Sequence, residues 1–287
     1  MSHRSASDDL TQRVVETYSR IDDLRLREIV VGLIRHLHTY VKEVRLKREE
    51  WETAWSLMAR MAESTGPKRN EFLLLGDLIG VSQLVETFGH ERPGWAVGYA
   101  LAGPFFRANA PLRQRGESIA SIDTAGERVR ISGRVYDLTD RAPVAGAMLD
   151  VWQAATNGLY ENQDDAQPDY NLRGRFRTDE SGTFEIVALK PTSYAFPVEG
   201  PVGELLKVAK QRPYRPAHIH FIVSAPGYET LITQVFVEGD ETLRDDPVFT
   251  ASENMVGKFR RENGECRLHY DFQLEPGVST MPKSPLP

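Results

Sequence analysis

The sequence predicts a mainly β protein with some α: a β-sandwich catalytic domain preceded by an N-terminal helical extension. Three observations carry that prediction. In the first third of the chain apolar residues recur at three- and four-residue intervals, the spacing of an amphipathic helix. From about Arg128 the apolar period becomes two, the spacing of a half-buried strand. Turn signals such as Glu180-Ser-Gly, Pro226-Gly and Glu238-Gly-Asp punctuate the alternating stretches at sandwich-like intervals. The expected division is a helical region at residues 1–100 and a sandwich at 101–287.

The first clear helix follows Ile21, where Leu24, Val30, Ile34, Leu37, Val41 and Val44 form a stripe with charged residues between them. A second runs roughly from Arg48 to Ala62 and stops at Gly66-Pro67. Asn70 suits the free N–H groups of a helix start and caps a third helix through Phe72, Leu75, Leu78, Ile79 and Leu84. The helical part ends near Gly89. Among the strands, Val129, Ile131, Gly133 and Val135 alternate with polar residues, and Leu149 and Val151 repeat the pattern. Further strands are expected over 183–188, 218–225, 230–237 and 267–274.

With 287 residues, 40% of them hydrophobic and 26% charged, the chain can bury a full core. No apolar run approaches the ~20 residues of a membrane-spanning helix. Met1 to Leu10 lack the basic and apolar regions of a secretory signal, so a cytoplasmic location is expected. Cys266 is the single cysteine, which excludes an intrachain disulfide and a thiolate cluster and leaves nitrogen and oxygen donors for any metal. A net charge of −6 argues against nucleic acid, whose phosphates require a basic surface.

Arg215-Pro-Ala-His218-Ile-His220-Phe221 is the most informative segment. On a strand, residues i and i+2 share one face about 7 Å apart, so both imidazoles can reach one metal while Ile219 and Phe221 enter the core. A pair of surface histidines is the plain alternative. His36 and His38 have the same spacing inside a predicted helix, where the side chains diverge by roughly 200° and cannot chelate. His3, His90 and His269 stand alone and suit structural or exposed roles. The usual partner of two histidines is a carboxylate, and Asp150 and Asp179 are open candidates. Closer to hand are two loop tyrosines, Tyr160 and Tyr194.

Taken in order, Gly158-Leu-Tyr160, Tyr194, Arg215-Pro-Ala-His218-Ile-His220 and Gln234 resemble the intradiol ring-cleavage dioxygenases. The likeness covers nearly the whole chain, including Glu71-Phe-Leu-Leu-Leu-Gly-Asp-Leu-Ile-Gly-Val-Ser. It implies an enzyme that opens an aromatic diol with O2, using one Fe(III) per chain. Tyr160 and His218 would be its equatorial ligands and Tyr194 and His220 its axial ones, with a hydroxide completing the site. Two anionic phenolates are hard donors that favour ferric over ferrous iron. The resemblance also makes Tyr194 a base for a diol proton. Arg215 would stabilise negative charge on the ring and Gln234 would orient it; their plain alternatives are a surface ion pair and a satisfied strand amide. A homodimer through the N-terminal helices, holding a phospholipid, is implied as well.

Within the family, Gly103-Pro104-Phe105-Phe106-Arg107 and Tyr194-Ala-Phe-Pro197 look more like hydroxyquinol than catechol enzymes. Benzene-1,2,4-triol is therefore the expected substrate and 3-hydroxy-cis,cis-muconate the product. Leu74, Gly103, Pro104 and Phe105 would line the pocket together with Phe196 and Pro197. Asp77 would accept the proton of the third hydroxyl, and Val248 would leave room where catechol enzymes carry a larger aromatic residue. Phe196 and Ala102 depart from the hydroxyquinol pattern, which keeps catechol and chlorocatechols open. A metal-free ligand-binding sandwich and a hydrolase using His218, His220 and a carboxylate are the competing classes.

Overall fold

The computed structural model describes residues 6–66, 70–195 and 198–285; His3, Pro67, Phe196 and Pro197 lie outside them. The chain divides into two compact units, Met1–Glu63 and Ser64–Pro287.

The first unit is helical: α1 (Ala6–Tyr18), α2 (Leu24–Val44) and α3, which starts at Arg48 and reaches Ser64. Asp23 starts α2 by accepting the Leu26 N–H at 2.7 Å, and Arg45 ends it in the left-handed region at φ 51°. α1 has too few apolar residues to show a helical period in the sequence. Polar contacts help to hold it on α2: Thr11 Oγ1 lies 3.0 Å from His38 Nδ1, and Lys42 Nζ lies 2.8 Å from Asp8. Leu24, Ile29, Leu33, Leu37, Trp51 and Trp55 are exposed on α2 and α3.

The second unit opens with α4 (Glu71–Leu78) and α5 (Val81–Gly89), which the sequence reads as one helix. Gly80 takes a positive φ of 73°, open to glycine at little cost, and the helices diverge by 72°. Asn70 caps α4 as expected, accepting from the Phe72 and Leu73 N–H groups. Buried Glu71 reaches across to α6 (Pro201–Val208), where its Oε2 accepts the Val202 N–H at 2.9 Å. Among the described residues no single helix is long and apolar enough to cross a membrane; the bent α4–α5 pair reaches that length and composition only when both helices are taken together.

The strands are β1 (Arg128–Asp137), β2 (Met148–Trp152), β3 (Arg173–Arg177), β4 (Thr183–Leu189), β5 (Tyr194–Ala195) and β6 (Tyr214–Arg215). They continue with β7 (His218–Ser224), β8 (Leu231–Val237), β9 (Val256–Gly257), β10 (Arg260–Glu262), β11 (Glu265–His269) and β12 (Phe272–Leu274). One sheet runs β10-β11-β1-β12 with β4 antiparallel to β1, a second runs β3-β2-β7-β8-β9, and β5 pairs with β6 in a two-stranded third. The strand expected over 267–274 is interrupted at Tyr270-Asp271, where Asp271 Oδ1 captures the Arg134 N–H at 2.8 Å.

Alternation decides what each strand buries. Val129, Ile131 and Val135 of β1, Leu149 and Val151 of β2, and Ile219, Phe221 and Val223 of β7 all enter one core. Truncating a fully buried side chain such as Phe221 to alanine would cost about 3–5 kcal/mol. The opposite face of β2 and β7 supports a second cluster of Phe106, Trp152, Ala154, Tyr160, Tyr194 and Ile222. The candidate site lies on this face.

Candidate metal centre

His218 and His220 occupy alternate positions on β7, on the face away from the core residues Ile219 and Phe221. Antiparallel register sets Trp152 of β2 on one side of His220 and Gln234 of β8 on the other. The Trp152 ring lies parallel to the His220 imidazole, centroids 4.6 Å apart and planes 8° apart, which fixes the ring's tilt. Tyr160 comes from the loop after β2. Tyr194 is the first residue of β5 and pairs with Arg215 on β6. Gly158 allows the two tyrosine segments to meet: its φ is 82°, and a Cβ there would lie 2.9 Å from the Tyr194 Cβ.

The result is a chain of short contacts between donor atoms. Tyr160 Oη lies 3.1 Å from Tyr194 Oη and 3.1 Å from His220 Nε2, and the two histidine Nε2 atoms are 3.1 Å apart. Burial, reinforced for Tyr160 by the neighbouring Tyr194 phenol, pushes both tyrosines above their ordinary pKa. Burial pulls both histidines well below theirs, Arg215 acting in the same direction, so the imidazoles are neutral. His218 Nδ1 donates to the Pro216 carbonyl at 2.6 Å, which leaves its Nε2 lone pair facing the cluster. His220 Nδ1 is buried without a hydrogen-bond partner.

This donor set fits a cation. Nitrogen and oxygen ligands at about 2.0–2.2 Å from one metal ion, spaced at roughly right angles, sit about 3 Å from each other. Among the described residues no group of three or more His, Cys, Asp or Glu is arranged to hold a metal. The carboxylates weighed from the sequence have other neighbours. Asp179 is bound by Arg115 and Thr183, and buried Asp150 lies across the strands from Ile222 and Arg175. Of the isolated histidines, His90 stacks on Tyr99 at 3.8 Å and His269 is exposed beside Asp271.

Arg215 is buried, and its Nε donates to Asp246 Oδ1 at 2.9 Å while Nη2 donates to Gln234 Oε1 at 2.8 Å. Gln234 in turn donates to the Leu101 carbonyl at 2.9 Å. Burial alone would pull the guanidinium down, but Asp246 and the two phenols hold it above its ordinary value. Asp246 also accepts from the backbone N–H of Thr250 and Ala251. Buried Val248 lies between Asp246 and Thr250 in this loop. Asp77 on α4 feels the Arg215 charge, its Oδ1 has no hydrogen-bond partner, and burial raises its carboxyl. Phe105 stacks on Tyr160 at 4.6 Å, and a side chain at Gly103 would meet His220 Cε1 at 3.7 Å. Leu74 is half-buried and Pro104 exposed. Sequence reasoning missed Asp246, Trp152, Glu161 and Arg173. Only Trp152 had a visible signal, because the inward Leu149 and Val151 imply that it faces the other way.

A helical N-terminal region precedes a sandwich in which two tyrosines and two histidines converge on one face. Residues 101–276 match the dioxygenase family and residues 23–96 match the catechol dioxygenase N terminus, so the chain belongs to the intradiol ring-cleavage dioxygenases. It is 41% identical to a hydroxyquinol 1,2-dioxygenase of Rhizobium sp. (strain MTP-10005), over 87% of this chain and 84% of that one. It is 36% identical to a 6-chlorohydroxyquinol 1,2-dioxygenase of Cupriavidus pinatubonensis, over 93% and 97%. Among solved structures, a hydroxyquinol 1,2-dioxygenase from Pseudomonas putida DLL-E4 superposes with a TM-score of 0.90 at 36% identity, covering 96% of this chain and all of that one. The family uses non-haem iron.

Proposed function

We propose that Tyr160, Tyr194, His218 and His220 hold one Fe(III) per chain and that the enzyme cleaves benzene-1,2,4-triol between adjacent hydroxyls, giving 3-hydroxy-cis,cis-muconate. The observation that carries the metal reading is the convergence of two phenols and two neutral imidazoles at 3.1 Å spacing. Ferric iron bound there supplies Lewis acidity toward the diol oxygens and a site for reaction with O2. Tyr194, less deeply buried than Tyr160, would, once ionised as a metal ligand, accept a proton from a diol hydroxyl and return to its neutral phenol. Arg215, fixed by Asp246 and Gln234, supplies preorganised positive charge to the ring as it becomes electron-rich.

Substrate choice rests on Asp77, whose unpartnered Oδ1 is suited to the third hydroxyl, and on the names of the relatives above. Leu74, Gly103, Pro104, Phe105 and Val248 would form the described part of the pocket; Phe196 and Pro197, expected there from the sequence, lie outside the described residues. The test is oxygen uptake and ring-opened product with benzene-1,2,4-triol, catechol and chlorocatechols. A red-brown protein with one iron that turns over the triol fastest is expected. Preference for catechol would overturn the substrate reading, and a folded, iron-free protein that consumes no O2 with any diol would overturn the metal reading.

The proposed assembly is a homodimer through the helices of residues 1–100, supported by the exposed apolar residues of α2 and α3. A phospholipid would cover part of that surface. Sedimentation as a dimer at micromolar concentration and lipid in a denatured extract, read by mass spectrometry, are the expected results. The proposed location is cytoplasmic, supported by a free, buried Cys266 that needs no oxidising compartment.

A further inference from the structure

We infer that Arg173 is a positioning residue for the metal centre, a buried cation that stabilises the phenolate form of Tyr160; this rests on the metal reading above. Arg173 lies on β3 across from Trp152, which itself lies across from His220, so the three form one row over adjacent strands. Its side chain is 1% exposed. Nε donates to Glu161 Oε2 at 2.7 Å, Nη2 reaches Asn162 Oδ1 at 3.4 Å, and Nη1 is buried with no partner. The guanidinium carbon stands 5.9 Å from the centroid of the Tyr160 ring.

A simple buried ion pair would neutralise this charge, and here the neutralisation is incomplete. Glu161 is shared, because its Oε1 accepts from Arg107 Nη1 at 2.8 Å. The other nearby carboxyl, Asp150, is faced by Arg175 as well as Arg173. Asp169, which also binds Arg107, is exposed and screened by solvent. A buried guanidinium with a surplus of charge and an idle N–H is costly unless an anion stands near. The Tyr160 ring becomes that anion when its phenol ionises as a ligand, and a cation within about 6 Å of an electron-rich ring is attracted to it. The next residue, Glu161, fixes the guanidinium beside the ring, so one short segment carries both the ligand and the anchor of its counter-charge.

The readout is the visible absorption of the iron-loaded protein, in which a phenolate electron moves to the metal. A cation beside the ring lowers the phenolate electrons in energy, so removing it moves the band to longer wavelength. We expect that shift in Arg173→Gln and recovery towards the parent position in Arg173→Lys. A purely structural Arg173 would lower the Tm of both variants without moving the band, overturning the inference. Should Arg173→Gln fail to fold, Arg107→Gln reads the same field: it releases Glu161 to neutralise Arg173 more fully, and a smaller shift in the same direction is expected. An unmoved band there also overturns the inference. A parent protein that takes up iron without any visible phenolate band would instead overturn the metal reading on which this rests.

Discussion

Arg215 is held between Asp246 and Gln234, and each partner is itself held by a backbone hydrogen bond, so the guanidinium is anchored on two sides. Asp246→Asn keeps the shape but leaves a buried cation without its counter-charge. The expected loss is about 3–5 kcal/mol of stability and about 10–100-fold in kcat/KM, the usual cost of removing a supporting partner. Thermal denaturation and steady-state kinetics check both; a lowered Tm with unchanged kcat/KM would restrict Asp246 to holding the fold. On the proposed reading of the pocket, Asp77→Asn should act on specificity. A charged hydrogen bond is worth about 1.5–3 kcal/mol, so turnover of the triol should fall about 10–100-fold while catechol is spared. Equal losses on both substrates would remove Asp77 from recognition of the third hydroxyl. The histidine pair was legible in the sequence because strand alternation fixes which way residues i and i+2 face. Asp246 was not, since a counter-ion drawn from an aperiodic loop leaves no pattern around Arg215.

At the scale of elements, the site depends on two segments approaching more closely than side chains allow. Gly158→Ala places a methyl 2.9 Å from the Tyr194 Cβ and forces a non-glycine residue to φ 82°. The left-handed conformation alone costs roughly 1–2 kcal/mol, and the clash separates Tyr160 from Tyr194. A lower Tm and reduced iron content after purification are the expected outcomes; full iron occupancy with unaltered colour would show that the loops can give way. Strands with a regular apolar period were readable, and β7 and β8 emerged nearly as drawn. β3 escaped because Arg173-Gly-Arg-Phe-Arg177 contains one apolar residue, its arginines being accommodated by Glu161 and by carbonyls such as Ala110 rather than by solvent alone. The joint between α4 and α5 escaped for the opposite reason: apolar periodicity runs straight through Gly80, and the positive φ that breaks the helix is visible only in the backbone.

For the whole molecule, composition fixes the surface charge, whereas the pH response depends on which charges the fold removes from water. Asp150 is the clearest case, since burial pushes its carboxyl from 3.8 up to about 7 against the pull of Arg175 and Arg173. In the unfolded chain this group gives up its proton near pH 4, but in the folded chain it keeps the proton until about pH 7. The folded state therefore binds more protons across that window, and stability falls as the pH rises through it. Each tenfold difference in proton affinity is worth about 1.4 kcal/mol, so the loss attributable to Asp150 approaches about 4 kcal/mol above pH 7. Asp150→Asn cannot ionise and should escape that loss. Denaturation of the iron-loaded protein at pH 5 and pH 8 should show the variant gaining on the parent as pH increases, with the advantage shrinking towards pH 4. A constant difference across the range would mean that Asp150 keeps one protonation state throughout and that the pH dependence originates in other buried groups.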